Sequence, residues 1–231
     1  MNFKFGTDPE MFLKVGQKFV PACGLFPGTK DDPYKVDKGA VQVDGLALEF
    51  NIDPVETAED FSKNIQTVLA QIDEMIRKVD VNMDKVFVPF ADFVEADFKL
   101  LTDDQKMLGC DPDFNGVSGL INPRPEITDH PFRTAAGHIH IGWTEGADVS
   151  DPIHHEDCRF VSQRIGNSGA FYPSTGEEYL RLNYYGANYA FRPKPYGVEI
   201  RFPSNIWVAR PDTRIKAFNS VKHVMDKLQA A

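Results

Sequence analysis

Basic charge is what this sequence has too little of. It carries 34 Asp and Glu against 25 Lys and Arg, a formal net charge of −9 over 231 residues. A protein that binds a nucleic-acid duplex needs a basic surface to displace phosphate counterions, and an anionic membrane surface attracts clustered cations. The charge balance argues against both partners. Cysteine is scarce as well. Cys23, Cys110 and Cys158 are odd in number, far apart and form no CxxC, which disfavours a disulfide framework or a Cys-rich zinc knuckle. It points instead to a reducing compartment, the cytoplasm. No run approaches the roughly 18 apolar residues that span a bilayer. The opening MNFKFGTDPEMF has no basic stretch leading into an apolar one, so no secretory signal is expected. Repeats, low-complexity linkers and hinge-like clusters of Pro or Gly are missing too, and one domain over residues 1–231 is the simplest expectation.

The composition that remains is that of a globular protein, 42% hydrophobic with 18 phenylalanines, a residue that packs well in sheets. Strands are expected over residues 3–5, 11–15, 40–52 (broken near Asp44-Gly45), 86–94, 134–143 and 197–202. Gly16-Gln17 reads as a hairpin turn into residues 18–21. Residues 24–33 and 109–125 read as loops. The clearest helix covers 57–79, with Thr57 and Asp60 in a capping-box arrangement. Its apolar stripe is Phe61, Ile65, Val68, Ile72, Met75 and Val79, so it lies on something. Further helices are expected over 152–165, 176–182 and from about Asp212, where Ile215, Phe218, Val221, Met225 and Leu228 share a face. The irregular succession favours an α+β fold with an antiparallel sheet over a doubly wound one.

Residues two apart on a strand share a face. By that rule Asp8 goes with Glu10, Glu49 with Asn51, His138 with His140, and Glu199 with Arg201, while Leu48, Phe50, Ile52, Ile139, Ile141, Val198, Ile200 and Phe202 turn the other way. A solvated sheet face favours Thr, Ser and Lys; this one holds acids, imidazoles and an arginine, and no lysine. Carboxylates on neighbouring strands repel one another unless a cation lies between them. The pattern therefore predicts a divalent-metal site. Carboxylates with one or two imidazoles suit Mg²⁺ or Mn²⁺, and metals beside a strand arginine suit phosphoryl chemistry. The loop GLFPGTK at residues 24–30 shares glycines and a lysine with a P-loop but fails its spacing. Lys30 can still reach a phosphate or a substrate carboxylate.

With those residues laid out, the sequence resembles the phage-type carboxylate–amine ligases (amidoligases) of the glutamine synthetase and glutamate–cysteine ligase superfamily. The matching runs are GTDPEMF, GTKDDP, VQVDGLALEFNIDP, FRTAAGHIHIG and YGANYAFRPKPYGVEIR with the following SNIWV, in order from residue 6 to about 208. One departure is Ala136 before Gly137, where a second glycine is expected. The resemblance implies a glutamine-synthetase-like domain whose curved antiparallel sheet holds metals and nucleotide on its concave face. It implies metal ligation by Asp8, Glu10, Glu49, Glu199 and Asp44, and by one histidine, His140 ahead of His138. It further implies phosphate contacts from Arg201 and Arg192, with Arg133 and Arg181 as weaker candidates, and catalytic roles for Arg201, Glu199 and Arg192. The implied reaction is phosphorylation of a carboxylate by ATP, with Mg²⁺ or Mn²⁺, followed by attack of an amine on the acyl phosphate. The implied setting is a phage-encoded enzyme in the host cytoplasm, acting on small-molecule or peptide substrates. Two other readings are a nucleotide-independent metal hydrolase built on His138 and His140, and a non-catalytic phage protein that kept the fold.

Overall fold

The structure, a computed structural model, describes residues 2–106, 112–123 and 126–230. Cys110 and parts of the loop expected over 109–125 lie outside the described residues. Strands β1 (Lys4–Val15), β2 (Lys18–Val20), β3 (Tyr34–Val36), β4 (Gly39–Asp44) and β5 (Ala47–Ile52) precede helix α1 (Ala58–Val79). Then come β6 (Met83–Val86), β7 (Phe90–Asp92), α2 (Glu95–Lys99), α3 (Asp103–Lys106), β8 (Phe132–Thr134) and β9 (Gly137–Gly142). Helices α4 (Pro152–Asn167) and α5 (Gly176–Arg181), strands β10 (Phe191–Lys194) and β11 (Gly197–Ile200), and α6 (Pro211–Ala230) complete the order. The fold is α+β. Its main sheet runs β10-β11-β9-β1-β5-β4-β3, with β2 and β6 also paired to β1, and every strand pairing among the described residues is antiparallel. No helix among the described residues is long and apolar enough to cross a membrane.

One face of the sheet is apolar and carries the helices. Met11, Leu48, Phe50, Ile139, Ile141, Val198 and Ile200 are buried in one core with Phe61, Ile65, Val68 and Ile72 of α1 and Phe218, Val221 and Met225 of α6. Thr57 caps α1 by accepting the Asp60 N–H at 3.1 Å. The stripe of α1 ends differently from the expectation. Ile76, one turn on from Ile72, is buried, and Val79, the last residue of α1, is 40% exposed.

Three strand boundaries also differ. The expected breaks around Asp8-Pro9-Glu10 are absent: β1 is continuous from Lys4 to Val15. Pro9 is its last residue paired with β9, and beyond it β1 exchanges partners to β5, β6 and β2, so the missing N–H falls where the ladder changes. The run 86–94 splits into β6 and β7, and the run 134–143 splits at Ala135-Ala136. Strand β10 was not expected at all. It lies at the sheet edge, the position at which a strand tolerates a proline such as Pro193.

Candidate metal centre

Register assembles the polar face. Asp8 pairs with His138, Glu10 with Glu49, Gln42 with Glu49, His140 with Glu199 and Glu199 with Arg192. Directly opposed residues share a face, so six strands, β1, β4, β5, β9, β10 and β11, contribute to one patch. It is not a solvated face: Glu199 is 1% exposed, and Glu49, His138 and Arg201 are also buried.

Two groups of ligand-type atoms stand side by side. In the first, Asp8, His138 and Glu199 offer atoms all within 4.8 Å of one another. His138 Nδ1 lies 3.2 Å from Asp8 Oδ1 and 3.5 Å from Glu199 Oε1, and His140 Nε2 lies 2.7 Å from the same Asp8 oxygen. His140 Nε2 is buried, with that carboxylate oxygen as its close polar neighbour. Asp8 is therefore flanked by both imidazoles that parity left as alternatives. Burial acts to raise the Asp8 pKa, but the two imidazoles outweigh it and hold the carboxyl well below its usual range. Burial and Arg201 lower the His138 pKa, whereas at His140 burial is overcome by Asp8 and the pKa rises.

The second group is Glu10, Asp44 and Glu49, again within 4.8 Å. Burial and Asp44 push Glu10 up to about 7. Burial and the charges of Asp8, Asp44 and Glu10 push Glu49 well above the carboxylate range. Lys30 Nζ is 3.1 Å from Asp44 Oδ2, so the loop lysine does face this group. Glu10 Oε2 accepts the Ala136 N–H at 2.7 Å. The glycine that matters here is Gly137, where a Cβ would meet Trp207 Nε1 at 2.5 Å and Ser204 O at 2.8 Å. Ala136 contributes only its backbone amide to the acid cluster.

The arginines divide. Arg201 forms a buried ion pair with Glu199 and a second, at 3.1 Å, with Asp113. Burial acts to raise the Glu199 pKa, but Arg201 overrides it and the carboxylate stays charged to low pH. Arg192 lies 3.3 Å and Lys194 3.0 Å from Glu199 Oε2, and their side chains are 17% and 29% exposed. Both are more accessible than Arg201, whose side chain is 5% exposed. Arg133 is elsewhere: its guanidinium donates to the carbonyls of Lys106, Thr128, His130 and Phe132. Arg181 is buried under the face and donates to the carbonyls of Arg201, Phe202 and Pro203.

Sequence reasoning missed Lys194, Asp113, Gln42, Tyr185 and Tyr196. Lys194 shares the parity of Arg192 in the run FRPK, a signal usable once β10 is recognised. The others arrive through pairings or loops with no local mark.

A cavity of about 730 Å³ opens onto the face, lined by Asp8, Glu49, His140, Gln42, Tyr196 and Trp143 among others, a volume typical of small-molecule sites. Two acid groups and a donor set of oxygen and imidazole fit hard divalent cations such as Mg²⁺ or Mn²⁺. Compared with known proteins, the chain matches no family model and no curated protein.

Proposed function

We propose that the chain is an ATP-dependent carboxylate–amine ligase using Mg²⁺ or Mn²⁺, of the amidoligase kind its sequence resembles, on a glutamine-synthetase-like sheet. The observation that carries the reading is the pair of adjacent ligand groups, Asp8–His138–Glu199 and Glu10–Asp44–Glu49, on a face that also holds Arg192 and Lys194. Divalent cations bound there would neutralise phosphate oxygens. Asp8, His138 and Glu199 would hold one, with His140 beside Asp8, and Glu10, Asp44 and Glu49 a second.

A carboxylate is a poor acyl donor because its leaving oxygen is too basic. Transfer of the γ-phosphoryl group of ATP to it makes an acyl phosphate; the amine then attacks the carbonyl carbon, the C–N bond forms, the C–O bond to phosphate breaks, and the amine proton is released. Arg192 and Lys194 would meet the phosphoryl charge, and Arg201, held by Asp113, keeps Glu199 ionised and aimed. The protein's work is positioning and charge neutralisation.

A second reading is favoured by the placement of both imidazoles against Asp8. Three such ligands with an open fourth position serve a metal hydrolase. Phosphate release measured with ATP, Mg²⁺ and pools of carboxylates and amines separates the two. The ligase requires all four components. Turnover with metal alone favours the hydrolase, and failure to bind both Mg²⁺ and a nonhydrolysable ATP analogue leaves a non-catalytic protein.

A further inference from the structure

Tyr185 follows α5 in an irregular segment, and nothing in its local sequence marks it. Its hydroxyl lies 3.0 Å from His138 Nε2. The guanidinium carbons of Arg181 and Arg201 sit over its ring, 5.1 and 5.3 Å from the centroid. The backbone is built to keep it there. The Tyr185 N–H donates to Arg181 O at 2.8 Å. The next residue, Gly186, has φ +78°, and a Cβ on it would meet Arg181 Nη1 at 2.7 Å. Arg181 is itself pinned to three consecutive carbonyls, those of Arg201, Phe202 and Pro203. A rigid path thus runs from the chain just after β11, through Arg181 and Tyr185, to one nitrogen of His138.

The other nitrogen, Nδ1, faces Asp8 and Glu199. A cation held with those carboxylates takes the Nδ1 lone pair, so the ring proton must then sit on Nε2 and needs an acceptor. Without the cation, the carboxylates draw the proton to Nδ1, and Nε2 needs a donor. A phenol hydroxyl meets both demands without moving, since it donates and accepts. The second imidazole has the same arrangement: Tyr196 hydroxyl bonds His140 Nδ1 and leaves Nε2 toward Asp8. We propose that Tyr185 is a positioning residue of the cation centre, accepting from His138 Nε2–H when the centre is loaded and donating to Nε2 when it is empty, so that one imidazole orientation serves both states. This rests on Asp8, His138 and Glu199 being a cation site, as read above. Outer partners that orient a ligating histidine are typically worth about 10- to 100-fold in metal affinity.

The test uses the full chain. Two-bond ¹H–¹⁵N spectra locate the His138 proton without cation and with saturating Mg²⁺, and calorimetry gives the Mn²⁺ dissociation constant for wild type, Tyr185→Phe and, as control, Tyr184→Phe. The expected result is a proton on Nδ1 in the empty protein and on Nε2 in the loaded one. Tyr185→Phe should weaken Mn²⁺ binding roughly tenfold or more, with Tyr184→Phe unchanged. The wild-type proton shift needs no variant, so it decides the matter even if Tyr185→Phe fails to fold. A wild type that binds no Mn²⁺ overturns the cation site and this inference together. Binding with an unmoved His138 proton, or with Tyr185→Phe affinity unaltered, overturns the inference alone.

Discussion

Two glutamates of this face live in opposite electrostatic surroundings. Glu199 is wrapped by Arg201, Arg192 and Lys194; Glu49 is crowded by Asp8, Asp44 and Glu10. Removing the charge of Glu199 frees three cations to repel one another and deprives the first group of a ligand. Glu199→Gln, which keeps the shape, is expected to retain the far-UV circular dichroism of the fold and to lose ATP-dependent phosphate release by at least about 100-fold. Arg133 predicts the reverse pattern. Arg133→Met strands carbonyls that the guanidinium now satisfies and should cost about 3 kcal/mol in urea unfolding, with Mn²⁺ affinity unchanged. At this scale the sequence was informative wherever a strand carried the residue. Alternation put Asp8, Glu10, Glu49, His138, His140 and Glu199 on one face, and the structure brings all six together. Alternation says nothing about contacts made across the chain, and so Asp113, some 88 positions from Arg201, and Tyr185 had no signal. Nor does it separate an arginine that faces the site from one such as Arg133, whose guanidinium is turned to backbone carbonyls elsewhere.

Among the elements, β9 is the one whose entry is most constrained. Gly137 starts it, packed against Trp207, whose indole N–H donates to Gly137 O at 3.1 Å. Gly137→Ala drives a methyl into that ring and the Ser204 carbonyl. The expected cost is roughly 1–3 kcal/mol in thermal or urea unfolding, with weaker Mn²⁺ binding because His138 is the next residue. Thr57→Ala, far from the face, should cost about 1 kcal/mol through loss of the α1 cap and leave Mn²⁺ binding alone. Element identity was legible where periodicity was long: α1 and α6 were both visible in the spacing of apolar residues. It failed at the short strands β3 and β10. β10 has four residues, one of them Pro193, and only its place at the sheet edge permits it, which is a fact about topology rather than about local sequence.

For the molecule as a whole, the acid face couples stability to pH and to cations. Glu10 stays protonated in the fold up to about 7, while an unfolded glutamate releases its proton near 4.3. Between those values the folded state holds more protons, so the metal-free protein is expected to lose stability as pH rises through that window. Glu49 adds to the trend in the same direction. Asp8 and Glu199, held low by cationic neighbours, act oppositely. Their contribution is complete above the unfolded carboxylate range and lost as pH falls below it. Urea midpoints between pH 5 and 8 should therefore decline without cation and flatten with it. Mn²⁺ at a hundredfold excess over its dissociation constant should add about 2.7 kcal/mol. Strand β1 carries a consequence of a different kind. It supplies Asp8 to one ligand group and Glu10 to the other, so the pitch of a single strand, roughly 7 Å for two residues, acts as the ruler between the two centres. Deleting Gly6 would turn the upstream half of that strand over, sending Phe5 from the core to the cleft while Asp8 and Glu10 keep their places. The length of β1 is thus constrained for a reason separate from residue identity: homologues of this chain should vary in the letters of β1 long before they vary in its count.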